Sequence, residues 1–122
     1  MNKKLMIVDD SMFVYEEMKY MLKDSEFDIV EYAQNGEESL EKYELSLPDI
    51  VTMDIILPGM DGMSAADIII KKYPEAKIVI VSSLAYDETI EEAKGLGIEH
   101  LLFKPFTKEE LIECLKATVS EE

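Results

Sequence analysis

The 122-residue chain contains one cysteine, Cys114, one histidine, His100, and no tryptophan. A single cysteine excludes an internal disulfide framework and is typical of a reducing compartment, so we expect Cys114 to be a packing residue. No apolar run approaches the roughly 20 residues that a membrane helix needs. The apolar stretch near the start is short and is interrupted by Asp9 and Asp10, which does not fit a signal peptide. We therefore expect a cytoplasmic protein that does not bind membranes.

Basic residues are also scarce. Twelve lysines and arginines stand against 27 aspartates and glutamates, which leaves a net charge of -15. Such a surface repels nucleic acid phosphates, so we expect no nucleic acid partner.

Short apolar runs alternate with segments of helical periodicity, as expected for strands and helices in turn. Strands are predicted over 5–8, 28–33, 49–54, 77–82 and 98–103. Helices are predicted after a Ser11 cap, over 37–45, 63–73 and 87–94, and after a Thr107 cap, with Asn35-Gly36 as a turn and Gly95 as a helix C-cap. His100 would begin the fifth strand as an incidental surface residue.

Five strands, each followed by a helix, require right-handed crossovers and a parallel sheet. Strands this apolar must be covered on both faces. The prediction is a single α/β domain over residues 1–122, a three-layer flavodoxin-like sandwich with five parallel strands in the order 2-1-3-4-5.

In such a sheet, ligands bind at the carboxyl ends of the strands. Asp9 and Asp10 end the first predicted strand and Asp54 the third, whereas Ser82 ends the fourth and Lys104 follows the fifth. Clustered carboxylates repel one another, and a hard divalent cation such as Mg²⁺ relieves that repulsion. Lys104 adds a charge suited to a phosphoryl group or to Asp54, and Asp54 can attack phosphorus. These residues predict Mg²⁺-dependent phosphoryl transfer.

The ordered set of motifs resembles the receivers of two-component response regulators, and most of all the chemotaxis (CheY-like) receivers. The set consists of Asp9-Asp10, Asp54 followed by Leu57-Pro58 and Asp61-Gly62, then Ser82, and finally Lys104-Pro105-Phe106. The resemblance extends over essentially the whole chain. It implies a sensor histidine kinase that donates a phosphoryl group to Asp54.

The resemblance also implies roles for single residues. Asp10 would be the main carboxylate on Mg²⁺, Asp9 would act through water, and the backbone carbonyl of Ile56 would be a further ligand. Ser82 would move to hydrogen-bond the phosphoryl oxygen, and Lys104 would pair with it. A cis bond before Pro105 is also implied, which fits the small cost of cis X-Pro bonds.

Three positions qualify the expectation. Many receivers have an aromatic switch residue three positions before the lysine of strand five, and this chain has Leu101, which has no polar tip. Ile56 and Leu84 lie two residues after Asp54 and Ser82, where bulky aliphatic groups would hinder a hydrolytic water. We therefore expect slow self-dephosphorylation and no turnover beyond the chain's own phosphorylation and dephosphorylation.

The resemblance places the output surface on helix four, strand five and helix five, around Tyr86, Glu91, Lys94, Leu101 and Lys108. Because the sequence stops just after the last predicted helix, we expect a stand-alone regulator, either a monomer or a phosphorylation-dependent dimer.

A phosphorelay shuttle and a receiver cut from a longer regulator remain alternatives. A haloacid-dehalogenase-type phosphatase is a further one, but it needs a general acid two residues after the nucleophile, where this chain has Ile56. A flavodoxin-type flavin site is disfavoured, because Asp9 and Asp10 would repel the flavin phosphate.

Overall fold

Strands and helices alternate along the computed structural model, which describes residues 2–83 and 87–120. The strands are β1 (Lys3–Val8), β2 (Phe27–Ala33), β3 (Ile50–Asp54), β4 (Ile78–Ser82) and β5 (Leu101–Phe103). The helices are α1 (Met12–Met21), α2 (Gly36–Ser46), α3 (Gly62–Lys72), α4 (Asp87–Gly95) and α5 (Lys108–Val119). This alternation confirms the predicted α/β class.

The strands form one sheet in the order β2-β1-β3-β4-β5, and every neighbouring pair is parallel. The predicted strand order is therefore confirmed. All side chains of β3 and β4 are buried, as expected for central strands covered on both faces. None of the described helices is both long enough and apolar enough to cross a membrane.

Two apolar layers flank the sheet. One packs alternate strand residues such as Met6, Met53 and Ile80 against α2, α3 and α4. The other packs Ile7, Val79 and their neighbours against α1 and α5. Because successive strand residues point to opposite faces, the same apolar strands supply both layers.

Polar side chains cap α1 and α5, two of the helices that begin near the carboxyl edge of the sheet. Ser11 accepts a hydrogen bond from the backbone amide of Val14, as predicted for the start of α1. Thr107 and Glu110 form a capping box at the start of α5. These caps fix the residues at which α1 and α5 begin, and therefore the direction of the loops that join them to β1 and β5.

The structure corrects three local predictions. Residues 98–100 precede β5 and do not belong to it, so His100 lies just before the strand. Asn35 is the N-cap of α2, and Gly36 is the first residue of that helix. Gly95 is the last residue of α4, and the glycine with the left-handed backbone (φ +87°) is Gly97. In each case local composition indicated the element or turn but did not locate its boundary to the residue.

Candidate functional site

The predicted site residues meet at the carboxyl edge of the sheet. Asp9 and Asp10 follow β1, Asp54 is the last residue of β3, Ser82 is the last residue of β4, and Lys104 follows β5. The strands end nearly level, because Val8 pairs with Met53, Asp54 with Val81, and Ser82 with Phe103. The parallel pairing thus brings the residues at the strand ends close together, although they are far apart in the sequence.

The three carboxylates form a compact group. One oxygen from each of Asp9, Asp10 and Asp54 lies within 4.8 Å of the corresponding oxygens of the other two. Asp9 and Asp54 are buried, whereas Asp10 is exposed at the mouth of the site. Three acids at this spacing are costly when they are ionised together, so the arrangement calls for a cation.

Lys104 supplies part of that positive charge. Its Nζ donates to Asp9 Oδ2 at 2.9 Å and to Asp54 Oδ2 at 3.1 Å. The contact with Asp54 was anticipated from the sequence, but the contact with Asp9 was not. The backbone amide of Lys104 also donates to the Ser82 carbonyl at 2.8 Å, which ties the start of the β5–α5 loop to the end of β4.

Burial and charge act in opposite directions on these groups. Burial raises the pKa of Asp54 above its ordinary value; the ammonium of Lys104 opposes this shift, and the charge of Asp9 adds to it. For Lys104, burial alone would lower the pKa, but its hydrogen bonds and charge contacts with Asp9 and Asp54 outweigh burial and raise it. Lys104 therefore stays cationic at neutral pH.

The loop after β1 is held by contacts that sequence patterns did not indicate. The Asp9 amide donates to the Ala33 carbonyl at 3.0 Å, and the Ser11 amide donates to Asp9 Oδ1 at 2.9 Å. The hydroxyl of Tyr32, on β2, donates to the Asp9 carbonyl at 2.8 Å. Burial and the charges of Asp9 and Asp10 raise the pKa of Tyr32, which keeps this hydroxyl protonated as a donor.

The loop after β3 closes tightly onto the start of α3. The Gly62 amide donates to the Ile55 carbonyl at 2.8 Å, and a Cβ at Gly62 would lie 1.8 Å from the Asp54 carbonyl oxygen. Only glycine permits this approach. The side chain of Ile56 is 59% exposed, so it stands in solvent beside the site.

The remaining predicted residues lie outside the group formed by the three carboxylates and Lys104. The Lys104–Pro105 peptide bond is cis. Leu101 is partly buried against the α2–α3–α4 layer, and Glu91, Lys94 and Lys108 are exposed. Leu84 and Tyr86 lie outside the described residues. Cys114 packs against the α1–α5 layer, as expected, and burial raises the pKa of its thiol.

The charge of the site can be counted. By formal charge, the three carboxylates contribute three negative charges and Lys104 contributes one positive charge, which leaves two negative charges. A divalent cation with a preference for oxygen ligands matches both this charge and this donor set. The residues present therefore fit Mg²⁺, with Asp9, Asp10 and Asp54 as its carboxylate donors.

Comparison with known proteins gives matches over nearly the whole chain. The family model of the response regulator receiver domain matches residues 5–116. The chain is 40% identical over 113 residues to the chemotaxis protein CheY of Listeria monocytogenes, covering 93% of this chain and 95% of that protein. It is 36% identical over 115 residues to the CheY of Thermotoga maritima, covering 94% and 96%.

Solved structures with the same architecture include a chain of the CheX–CheY–BeF3–Mg complex from Borrelia burgdorferi. That chain has a TM-score of 0.92 and 26% identity, and the match covers 98% of this chain and 90% of that one.

Proposed function

The chain belongs to the response regulator receiver domain family, and we propose that it is a phosphorylation-dependent switch whose phosphoryl group is carried by Asp54. The observation that supports this most is the Lys104 ammonium within hydrogen-bond distance of both Asp54 and Asp9. In this proposal Asp54 is the nucleophile and Lys104 is the cation that compensates its charge, side by side at the carboxyl edge of the sheet. The relationship to CheY proteins favours a signalling role over the haloacid-dehalogenase-type phosphatase.

The site would hold Mg²⁺ through Asp9, Asp10 and Asp54, with the backbone carbonyl of Ile56 as a further ligand. Bound there, Mg²⁺ would neutralise charge on the carboxylates and on the oxygens of the transferred group. This assignment rests on the carboxylate spacing and on the two negative charges that Lys104 leaves uncompensated.

The chain's own residues account for the transfer. A carboxylate oxygen of Asp54 attacks the phosphorus of a phosphohistidine; the new O–P bond forms as the P–N bond breaks, and the histidine nitrogen leaves with the bonding electron pair. Lys104, already beside Asp54, pairs with the phosphoryl oxygens. Ser82, at the end of β4, donates its hydroxyl to one of those oxygens once the group is in place.

The signal would leave through the face formed by α4, β5 and α5. Ser82 and Leu101 lie on adjacent strands, because β4 pairs with β5 from Ile80–Leu101 to Ser82–Phe103. A movement of Ser82 toward the phosphoryl group would therefore reach Leu101 through side-chain packing. Leucine has no polar group with which it could respond as an aromatic switch residue does. Exposed Glu91, Lys94 and Lys108 would then contact a downstream protein.

We further propose that residues 1–122 act as a single cytoplasmic receiver domain of the chemotaxis type. Its upstream partner would be a sensor histidine kinase. The CheX-containing complex from Borrelia burgdorferi shows one kind of protein with which a CheY is found, so a CheX-like protein is a reasonable candidate partner. The acidic surface favours a protein target over nucleic acid, whether the active form is a monomer or a phosphorylation-dependent dimer.

Phosphotransfer from an autophosphorylated chemotaxis-type histidine kinase tests the proposal. The wild-type chain should take label from the kinase, and Asp54→Asn should take none. Asp61→Asn is the matched control, since Asp61 is an exposed N-cap of α3 and asparagine also caps helices well. Equal labelling of all three proteins, or labelling lost only in Asp61→Asn, would contradict the assignment of Asp54.

The lifetime of the phosphorylated form is a second test. The exposed Ile56 side chain is too apolar to orient an attacking water, and so we expect slow self-dephosphorylation. Replacing Ile56 or Leu84 with a polar residue such as glutamine should shorten the lifetime. Unchanged decay in both variants would contradict this explanation.

A further inference from the structure

Tyr32 makes a contact that the proposed chemistry does not use directly. Its hydroxyl donates to the carbonyl oxygen of Asp9 at 2.8 Å. That carbonyl belongs to the peptide group that joins Asp9 to Asp10. Because a peptide group is planar, a hydrogen bond to its oxygen also sets the orientation of the Asp10 amide and restrains the backbone on both sides.

The ring of Tyr32 is itself held in place. It stacks on the ring of Tyr15, with centroids 4.0 Å apart and an angle of 15° between the planes. Tyr15 lies on α1, which begins just after the aspartates, and Tyr32 lies on β2. The stacked pair thus braces the loop between β1 and α1 against the neighbouring strand.

The two aspartates differ in how their side chains are fixed. Asp9 is buried and accepts hydrogen bonds from Lys104 and from the Ser11 amide. Asp10 is exposed, and within residues 2–83 and 87–120 its carboxylate has no hydrogen bond or ion pair to hold it. The position of the Asp10 carboxylate therefore depends on its backbone, and that backbone is the one Tyr32 restrains.

We propose that Tyr32 is a positioning residue for the metal site, because its hydroxyl fixes the Asp9–Asp10 peptide and thereby directs the Asp10 carboxylate toward Asp9 and Asp54. The inference rests on the proposed function, since it assigns Asp10 to the cation. Tyr32 would act through the Asp9–Asp10 peptide and would not itself be a ligand of the cation.

The decisive variant is Tyr32→Phe, which removes the hydroxyl and keeps the ring stack. Tyr15→Phe is the matched control, because it removes the hydroxyl of the other ring of the same pair. Partners that orient metal ligands change metal affinity by about tenfold to a hundredfold when they are lost. Because one hydrogen bond to the backbone is removed here, we expect the Kd for Mg²⁺, measured by titration calorimetry, to rise about tenfold in Tyr32→Phe and less than about twofold in Tyr15→Phe.

Two further readouts separate positioning from general stability. In phosphorylation by acetyl phosphate, Tyr32→Phe should need more Mg²⁺ for half-maximal rate but should reach the wild-type rate at saturating Mg²⁺. In metal-free protein, hydrogen exchange at the Asp10 and Ser11 amides should be faster in Tyr32→Phe than in Tyr15→Phe. An unchanged Mg²⁺ affinity would overturn the proposal. So would a metal-free Tm in Tyr32→Phe far below that of Tyr15→Phe, because the hydroxyl would then serve the fold as a whole.

Failure of this inference is distinguishable from failure of the proposed function. If wild-type protein binds Mg²⁺ and accepts a phosphoryl group but Tyr32→Phe behaves as wild type, only the role of Tyr32 is wrong. If wild-type protein binds no Mg²⁺, the proposed function fails and the assignment of Tyr32 to the metal site fails with it.

Discussion

The side chain of Thr52 allows a stability prediction that depends on a single atom. Thr52 lies in the middle of β3, is 1% exposed, and pairs with Ile7 on one side and Val79 on the other. Its hydroxyl oxygen has no hydrogen-bond partner within residues 2–83 and 87–120. We therefore expect Thr52→Val, which replaces the hydroxyl with a methyl group of similar size, to stabilise the fold.

The size of the gain follows from two effects. Burying a hydroxyl without a partner costs about 1–3 kcal/mol in proteins, and a buried methyl group contributes about 0.8 kcal/mol. The methyl group is slightly larger than the hydroxyl, so some of this gain is lost to crowding. A net increase of about 1–2 kcal/mol in the free energy of unfolding corresponds to a rise in Tm of about 4–8 °C for a chain of this size.

Urea denaturation followed by far-UV circular dichroism measures the effect as a shift in the midpoint at constant slope. Thr118→Val is the matched control, because Thr118 is also buried but its hydroxyl donates to the Cys114 carbonyl at 2.8 Å. That variant should lose about 1 kcal/mol with its hydrogen bond. A destabilised Thr52→Val, or an equal gain in both variants, would refute the reasoning.

Three other predictions follow from the site. Burial raises the pKa of Asp54, Lys104 opposes this shift, and the charge of Asp9 adds to it. The folded protein therefore binds the Asp54 proton more tightly than the unfolded chain does, and this stabilises the fold at low pH. The stabilisation is complete below about pH 4, the pKa of the unfolded chain, and is lost as the pH rises through the pKa of the folded protein. In metal-free buffer, Asp54→Asn should thus unfold at higher urea than wild type at pH 7 and match it near pH 3; a less stable variant at pH 7 would contradict this. Mg²⁺ at a hundred times its Kd should add about 2.7 kcal/mol to the free energy of unfolding of the wild-type protein by mass action, which is measured as a higher Tm. Identical melting curves with and without Mg²⁺ would count against the site. Ca²⁺ should support phosphorylation less well than Mg²⁺. Gly62→Ala would force a Cβ against the Asp54 carbonyl and should cost about 3 kcal/mol or more. Gly95→Ala should be neutral or stabilising in the same urea assay, because a Cβ added there meets no atom of the described residues within 4 Å.

Much of the fold could be predicted because its signals are local. Apolar runs bounded by turns define the central strands, and Ser11 and Thr107 mark helix starts that the structure confirms. The site residues could be located for a different reason: a parallel sheet collects the ends of its strands at one edge, so the residues that end each strand become neighbours. The strand order therefore brings together residues that are far apart in the sequence.

The contacts that refine the site could not be predicted in the same way. The hydrogen bond from the Tyr32 hydroxyl to the Asp9 carbonyl depends on how β1 and β2 are aligned. The pairing of these two strands shifts register between Leu5 and Met6. A local pattern contains no information about such a shift. The shared contact of Lys104 with Asp9 and Asp54 likewise depends on how the last loop turns. The start of β5 was predicted three residues too early, because Ile98 is apolar and buried like a strand residue, whereas pairing with β4 begins only at Leu101.

The central claim is that Asp54 accepts a phosphoryl group in a reaction that depends on Mg²⁺. Incubation with acetyl phosphate and Mg²⁺, followed by intact mass measurement, tests it most directly, with Asp54→Asn and a chelator as controls. We predict a gain of one phosphoryl group in the wild-type chain and none in either control. A folded wild-type chain that binds Mg²⁺ but gains no mass, or a gain that persists in Asp54→Asn, would contradict the account.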